Sequence, residues 1–395
     1  MYRYYHVCNY FVKNFFLKNV IIYMLLNFIL GGNMIEKILE KEVLTKEDLL
    51  KLMLIDNQED LNILFKKAYE IKLKYRSNKV FYRGLIECSN VCIKNCKYCG
   101  IRSENKKVER FTLIKEDILE SAKIIYDSGY ASMAIQAGER NDKGYTDFIE
   151  DTVYSIENMS KLDMGITLSL GEQTYETYKR WFDAGATRYL LRIETTNKDL
   201  FTRIHYNDEL HSYEKRIKAL KDLKKIGYQV GTGVMIGLPG QREEDLVNDI
   251  LFFKEMDIDM IGMGPYILHE DTPMGIEFKD KLLSNKKRLE LSLKMIAICR
   301  IYLQDINIAA TTALQVLDEL GREQGIKAGA NIIMPNVTKK DARENYNLYN
   351  GKPGLKDNSN DVKKSLDENL KNIGEEVGYF QKGDSPHYFK RFKKN

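Results

Sequence analysis

From about residue 78 the chain alternates short apolar runs with amphipathic stretches, and the alternation repeats eight times. The runs that read as strands are 80–86, 132–136, 165–170, 188–193, 229–236, 260–266, 308–313 and 331–334. Between them, apolar residues at helical spacing predict helices over 115–128, 144–159, 173–184, 211–226, 242–256, 284–304 and 320–328. Strands joined in turn by helices imply parallel pairing through right-handed crossovers. Eight such units over about 260 residues have the size of a (β/α)8 TIM-type barrel, an α/β fold. An open doubly wound sheet has the same spacing and is the alternative.

The flanks differ from this body. Residues 34–78 read as helices: Thr45 is an N-cap candidate with Asp48 three positions on, and Leu49, Leu50, Met53 and Leu54 form one apolar face. We expect a barrel over 79–338 and a charged C-terminal extension over 339–395, with one helix near 360–377 and a basic, solvated end. Residues 1–33 resemble neither part. Gly31-Gly32-Asn33 ahead of Met34 is what a translated ribosome-binding site and spacer would encode, so we expect 1–33 to be a mis-assigned leader or an extension.

Composition narrows the function classes. The chain has 395 residues, 44% hydrophobic and 30% charged, which excludes a disordered protein. A net charge of +4 excludes wholesale coating of nucleic acid. The apolar run Val20 to Leu30, broken by Asn27, is about half the ~20 residues of a membrane helix, so no membrane partner is expected. Of six cysteines, Cys88, Cys92, Cys96 and Cys99 crowd into twelve residues. Such clustering points to metal binding in a reducing, cytoplasmic compartment rather than to disulfides.

Cys92, Cys96 and Cys99 form a C-x3-C-x2-C run just past the first strand. Three thiolates on a tight loop can hold three irons of a [4Fe–4S] cubane and leave the fourth open to a ligand. With Cys88 as a fourth ligand, a four-cysteine zinc site in a non-catalytic metal-binding protein is the competing reading. In a barrel the chemistry sits at the C-terminal ends of the strands. Glu87, Glu139, Ser169, Arg192, Glu194, His269, Thr311, Thr312 and Asn336 fall there. The Gly231, Gly233, Gly237 spacing is not that of a dinucleotide-binding turn and reads as the fifth strand.

The cysteine run, with Tyr98 before its last Cys, resembles the signature of the radical S-adenosylmethionine (SAM) superfamily. The stretches 89–102, 167–172, 189–195, 237–241, 269–273, 310–313 and 330–336 resemble one branch, the HydE family of [FeFe]-hydrogenase maturation enzymes, over about residues 35–352. The resemblance implies a [4Fe–4S] cluster on Cys92, Cys96 and Cys99 and SAM chelated to its open iron. One-electron cleavage of that SAM would give a 5′-deoxyadenosyl radical. It implies SAM contacts from Tyr98, Gln136, Gly138, Glu139, Ser169, Glu194, Arg216 and Met235. Thr167, Arg192, Thr311, Thr312 and Tyr349 would face a small cysteine-ligated iron carbonyl/cyanide substrate. The implied partners are a low-potential ferredoxin or flavodoxin and the other hydrogenase maturases. Methylornithine synthase and biotin synthase are related alternatives. Cys299 is the one cysteine left in the barrel region, which weakens the biotin synthase option because an auxiliary [2Fe–2S] cluster needs ligands. Two departures stand out. Ile193 replaces a frequent family His, and no cysteines follow Lys352 for the second cluster that some members carry.

Overall fold

The computed structural model describes residues 34–161, 163–354 and 359–392. The expected leader and Cys8 lie outside the described residues. The strands are β1 (Lys79–Tyr82), β2 (Gly84–Ser89), β3 (Ser132–Ala137), β4 (Gly165–Ser169), β5 (Arg188–Leu190), β6 (Gln229–Thr232), β7 (Met235–Ile236), β8 (Met260–Ile261), β9 (Gly264–Pro265), β10 (Asn307–Ile308), β11 (Ile332–Ile333) and β12 (Glu376–Val377). β10-β8-β6-β5-β4-β3-β2 form one parallel sheet, and β11-β1-β12 a second. The two join on both sides. Ala310 N–H donates to Ile332 O at 2.9 Å and Leu85 N–H to Pro335 O at 2.7 Å. Parallel bridges at Ala309–Ile332 and Leu85–Asn336 complete the seams. The sheet is therefore a closed barrel, and the open-sheet alternative falls.

Strand parity decides what faces inward. Ile86, Met133, Ile135, Ile166 and Leu168 are fully buried and pack outward into the main apolar core under the helices. Their neighbours Leu85, Glu87, Ala134, Gln136, Thr167 and Ser169 line the interior cavity. Glu87 is in register with Gln136, and Gln136 with Ser169, so polar groups form a layer at the mouth. Several predicted strands are shorter than expected. The first breaks at Arg83, the fifth between Thr232 and Met235, and the fourth ends at Leu190 rather than Ile193. The capping box of Thr45 and Asp48 forms as expected, opening helix Lys46–Met53. Among the described residues no helix is long and apolar enough to cross a membrane.

The C-terminal extension is not a solvated end. Its helix stops at Asn372, and Glu376–Val377 then pair with β1. The following segment plugs the barrel floor. Asp384 accepts from Arg188 Nε at 3.0 Å and from Gln229 at 2.6 Å, and Asn307 donates to Gly383 O at 2.8 Å. The basic residues Lys390 and Arg391, expected to be free in water, pair with Asp305, Asp257 and Asp259. Polar patterning misread this segment because its charges are matched by buried acids.

The same clamp has a pH signature. His387 sits between Asp257 (2.6 Å) and Asp305 (3.2 Å), and these two bonds raise its pKa to about 9. A folded-state value above the unfolded one gives stability that is complete below about pH 6.5 and lost as pH rises through about 9. We predict that His387→Gln costs about 1–3 kcal/mol at pH 6 and little above pH 10. Paired urea melts of wild type and variant across that range check it.

Candidate active site at the barrel mouth

The cysteine loop leaves β2 and is wound around one guanidinium. Arg110 Nη1 donates to Asn90 O and Ile101 O, both at 2.7 Å, and Nη2 to Arg102 O (2.6 Å) and Asn105 O (3.0 Å). Outside contacts pin it further. Asn95 N–H donates to His211 Nε2 at 3.0 Å, and Lys97 N–H to Ile204 O at 3.0 Å. A Cβ on Gly138 would stand 2.4 Å from Val91 O and 2.8 Å from Cys92 Cβ. Sequence reasoning assigned that glycine to close approach of a ligand. In the structure its smallness admits the cysteine loop itself.

Cys92, Cys96 and Cys99 all line a cavity of 380 Å3 inside the barrel mouth. Cys88 does not. It shares parity with Ile86, is fully buried, and its Sγ lies 3.7 Å from the Tyr145 hydroxyl on the outer side. Burial pushes its thiol up to about 11 and that of Cys99 to about 12, and raises Cys92 and Cys96 as well. Three buried thiols facing one space fit iron, which stabilises thiolates that burial alone disfavours. Among the described residues no three His, Cys, Asp or Glu side chains are grouped to hold a single metal ion. A trio spread over a cavity wall suits the separate corners of a cluster. Cys299 is core, as expected.

Beside the thiols lies a buried charge network. Lys94 Nζ reaches Glu172 at 3.0 Å and Glu139 at 3.3 Å, Glu172 N–H donates to Glu139 Oε2 at 2.9 Å, and Arg216 Nε pairs with Glu172. Arg216 also donates to Arg192 O, which leaves its Nη2 for another acceptor. Burial raises the Glu139 pKa, whereas Arg216 and Lys94 hold Glu172 below its ordinary value against the opposing effect of its own burial.

The structure brings every residue expected at the site to the same cavity: Tyr98, Gln136, Gly138, Glu139, Thr167, Ser169, Arg192, Glu194, Arg216, Met235, Thr311, Thr312 and Tyr349 line it. Arg192 and Glu194, expected on a strand, stand just beyond β5. Glu194 adopts φ 69° and pairs with Arg192 at 3.0 Å, so the structural ion pair forms and faces the cavity as well. Thr311 donates to Met263 O at 3.3 Å, the ordinary backbone bond of a strand-end Thr. Met260, read as plain core, also lines the cavity, where Arg83 Nη1 donates to its Sδ at 2.9 Å. Buried polar atoms remain without partners at Thr167 Oγ1, Arg192 Nε, Glu194 Oε2 and the Tyr266 hydroxyl. Unpaired buried polar atoms facing one cavity mark a space shaped for a polar ligand.

Sequence reasoning missed four contributors. Lys94 reads as a solvated loop residue and Tyr266 as core. Tyr346 and Lys352 arrive on a strap, residues 345–352, that crosses the mouth. Gly100 N–H donates to Leu348 O and Asn350 N–H to Leu268 O, both at 3.0 Å. Gln136 donates to the Tyr346 hydroxyl at 3.2 Å, and Lys352 pairs with buried Glu87. His269 bonds within its own turn, with Asp271 N–H donating to its Nδ1 at 3.2 Å, which is the structural role expected of a lone His.

A closed parallel barrel with three thiols and a carboxylate–guanidinium network at its C-terminal mouth defines an enzyme built around a thiolate-held iron–sulfur cluster. The sequence profile described as the Radical SAM superfamily matches residues 86–253. Over 307 residues the chain is 45% identical to the [FeFe] hydrogenase maturase subunit HydE of Thermotoga maritima, covering 77% of this chain and 84% of that one. The chain belongs to the radical SAM superfamily and, within it, to the HydE family. Two solved structures share the fold. Methylornithine synthase (PylB) superposes with TM-score 0.74 at 24% identity, over 88% of this chain and 98% of that one. The maturase HydG of Carboxydothermus hydrogenoformans superposes with TM-score 0.75 at 20% identity, over 91% and 80%. The chain is a radical SAM enzyme, and enzymes of this superfamily bind a [4Fe–4S] cluster and SAM.

Proposed function

We propose that this enzyme acts in the cytoplasm in maturation of [FeFe]-hydrogenase, on a small cysteine-ligated iron carbonyl/cyanide species held in the barrel. The observation that carries the reading is the convergence of three cavity-facing thiols and four partnerless polar atoms on one enclosed space. The 45% identity to a hydrogenase maturase supports the choice of pathway. The barrel over 79–338 is the catalytic unit, with 34–78 and 339–395 as its attachments.

In this reading Cys92, Cys96 and Cys99 hold the cluster. When bound, SAM supplies a carbon-centred radical by one-electron cleavage at its sulfonium. Gln136, Gly138 and Glu139 take the SAM ammonium. Arg216 offers its free Nη2 to the carboxylate while Glu172 and Lys94 fix the guanidinium, a task that suits the planar fork of Arg. Ser169 and Glu194 serve the ribose, and Tyr98 and Met235 wall the nucleoside. Thr167, Arg192, Thr311, Thr312 and Tyr349 face the iron species, with Arg192 countering its negative charge. The 345–352 strap keeps water out of the mouth. A low-potential ferredoxin or flavodoxin delivers the electron, and the other hydrogenase maturases supply the substrate and receive the product.

The test is in vitro activation of an unmatured [FeFe]-hydrogenase with the remaining maturases, reductant and SAM. We expect hydrogen evolution only when this protein is added. Methylornithine synthesis is the second reading, favoured by the PylB superposition. Turnover of SAM with lysine, and no activation, would select it instead.

A further inference from the structure

Behind the strap lies a second cavity of 650 Å3, outside the barrel but sharing Leu85, Thr312, Met334 and Lys352 with the wall of the first. No aspartate or glutamate lines it, while Arg322, Arg343 and Lys352 do. Their states differ. Lys352 is paired with Glu87. Arg343 donates to neutral carbonyls, Thr338 O at 2.7 Å and Gly354 O at 3.0 Å, which bind it without cancelling its charge. Arg322 makes no hydrogen bond and no ion pair among the described residues, and its Nε is buried without an acceptor. The neighbouring carboxylate, Glu323, has its Oε1 engaged by Asn369 at 2.9 Å. Across the same cavity Gln315 Oε1 is also buried without a partner.

An unpaired guanidinium in a closed wall is costly unless something meets it. Burial holds Arg322 below the usual arginine range, which fits a group lacking its counter-charge. Electrostatics also connect the two cavities, because Arg322 and Arg192 both act on the hydroxyl of Tyr349.

We propose that this side chamber is a binding site for a small oxyanion, a carboxylate or an inorganic phosphate or sulfate. Arg322 is its direct partner, and Arg343 and Lys352 supply the surrounding positive field. Gln315 turns its amide toward the same ligand, so both orphaned groups are satisfied together. An anion held there lies one side chain, Lys352 or Thr312, from the barrel interior.

The test uses the full, cluster-loaded chain. Its thermal midpoint is measured against sulfate, succinate and chloride at matched ionic strength, for wild type, Arg322→Gln and Arg322→Lys. Sulfate stabilises proteins in general by exclusion, so the difference between variants is the readout. We expect a saturable rise for wild type, an apparent Kd raised about tenfold or more in R322Q, and partial recovery in R322K. Sulfate acting alone assigns an inorganic oxyanion, and succinate acting alone a carboxylate. A selenate soak of wild-type crystals, which needs no variant, should place an anomalous peak at hydrogen-bond distance from Arg322. The proposal is overturned by equal midpoints in all three proteins, or by crystals in which a carboxylate of the chain itself meets Arg322 and no selenium is found.

Discussion

Replacing Cys92, Cys96 or Cys99 by Ala is expected to abolish the bound cluster and reduce SAM cleavage to the level of a protein-free blank. Cys88→Ala should leave both intact. The contrast follows from parity and chemistry together. The first three thiols face the cavity, whereas Cys88 points into the core beside Tyr145. An iron corner held by protein cannot be replaced by a methyl group, so each of the three losses is complete. Cys88→Ala removes one buried sulfur and costs only about 1 kcal/mol of packing. Iron content and the visible spectrum after anaerobic reconstitution decide the matter. Loss of iron in the Cys88 variant would restore the four-cysteine zinc reading.

Glu375→Ala is expected to be the most destabilising single change in the C-terminal extension, by about 3–5 kcal/mol. Glu375 and Lys72 form an ion pair with both side chains fully buried, joining the extension to the N-terminal helix Gln58–Arg76. The Tyr69 hydroxyl donates to Glu375 Oε1 at 2.6 Å, and Lys327 reaches it at 3.3 Å. Burial pulls Lys72 down to about 8 even with its partner present, so without Glu375 the ammonium is left in an apolar site. Adding Lys72→Met should return much of the loss, because removing both charges of a buried pair is often neutral. Urea unfolding of the two variants beside wild type measures it. A loss below about 1 kcal/mol would mean that the extension is not part of the folded core.

The barrel was legible because its signals are local. Strand runs, crossover helices and caps each occupy a few consecutive residues, and Cys92-x3-Cys96-x2-Cys99 is a loop of eight. What escaped depends on distant pairing. Lys94 belongs to the site only because Glu172, 78 residues on, folds over it. Tyr346 and Lys352 belong because a strap is pinned at Gly100 and Leu268. Polar patterning failed at the C terminus for a related reason. Asp384, Glu375, Lys390 and Arg391 read as surface, yet each has a partner that supplies its counter-charge. The strand parity that turns Cys88 away from the thiols was available from Ile86 and Glu87, and would have removed the zinc alternative at once.

The reading depends most on an iron corner left open to SAM, and electron paramagnetic resonance of the reduced, reconstituted chain tests it most directly. The three-thiol cavity predicts a [4Fe–4S]+ spectrum whose g values shift when SAM is added. A spectrum indifferent to SAM, or a chain that takes up no cluster, would contradict it.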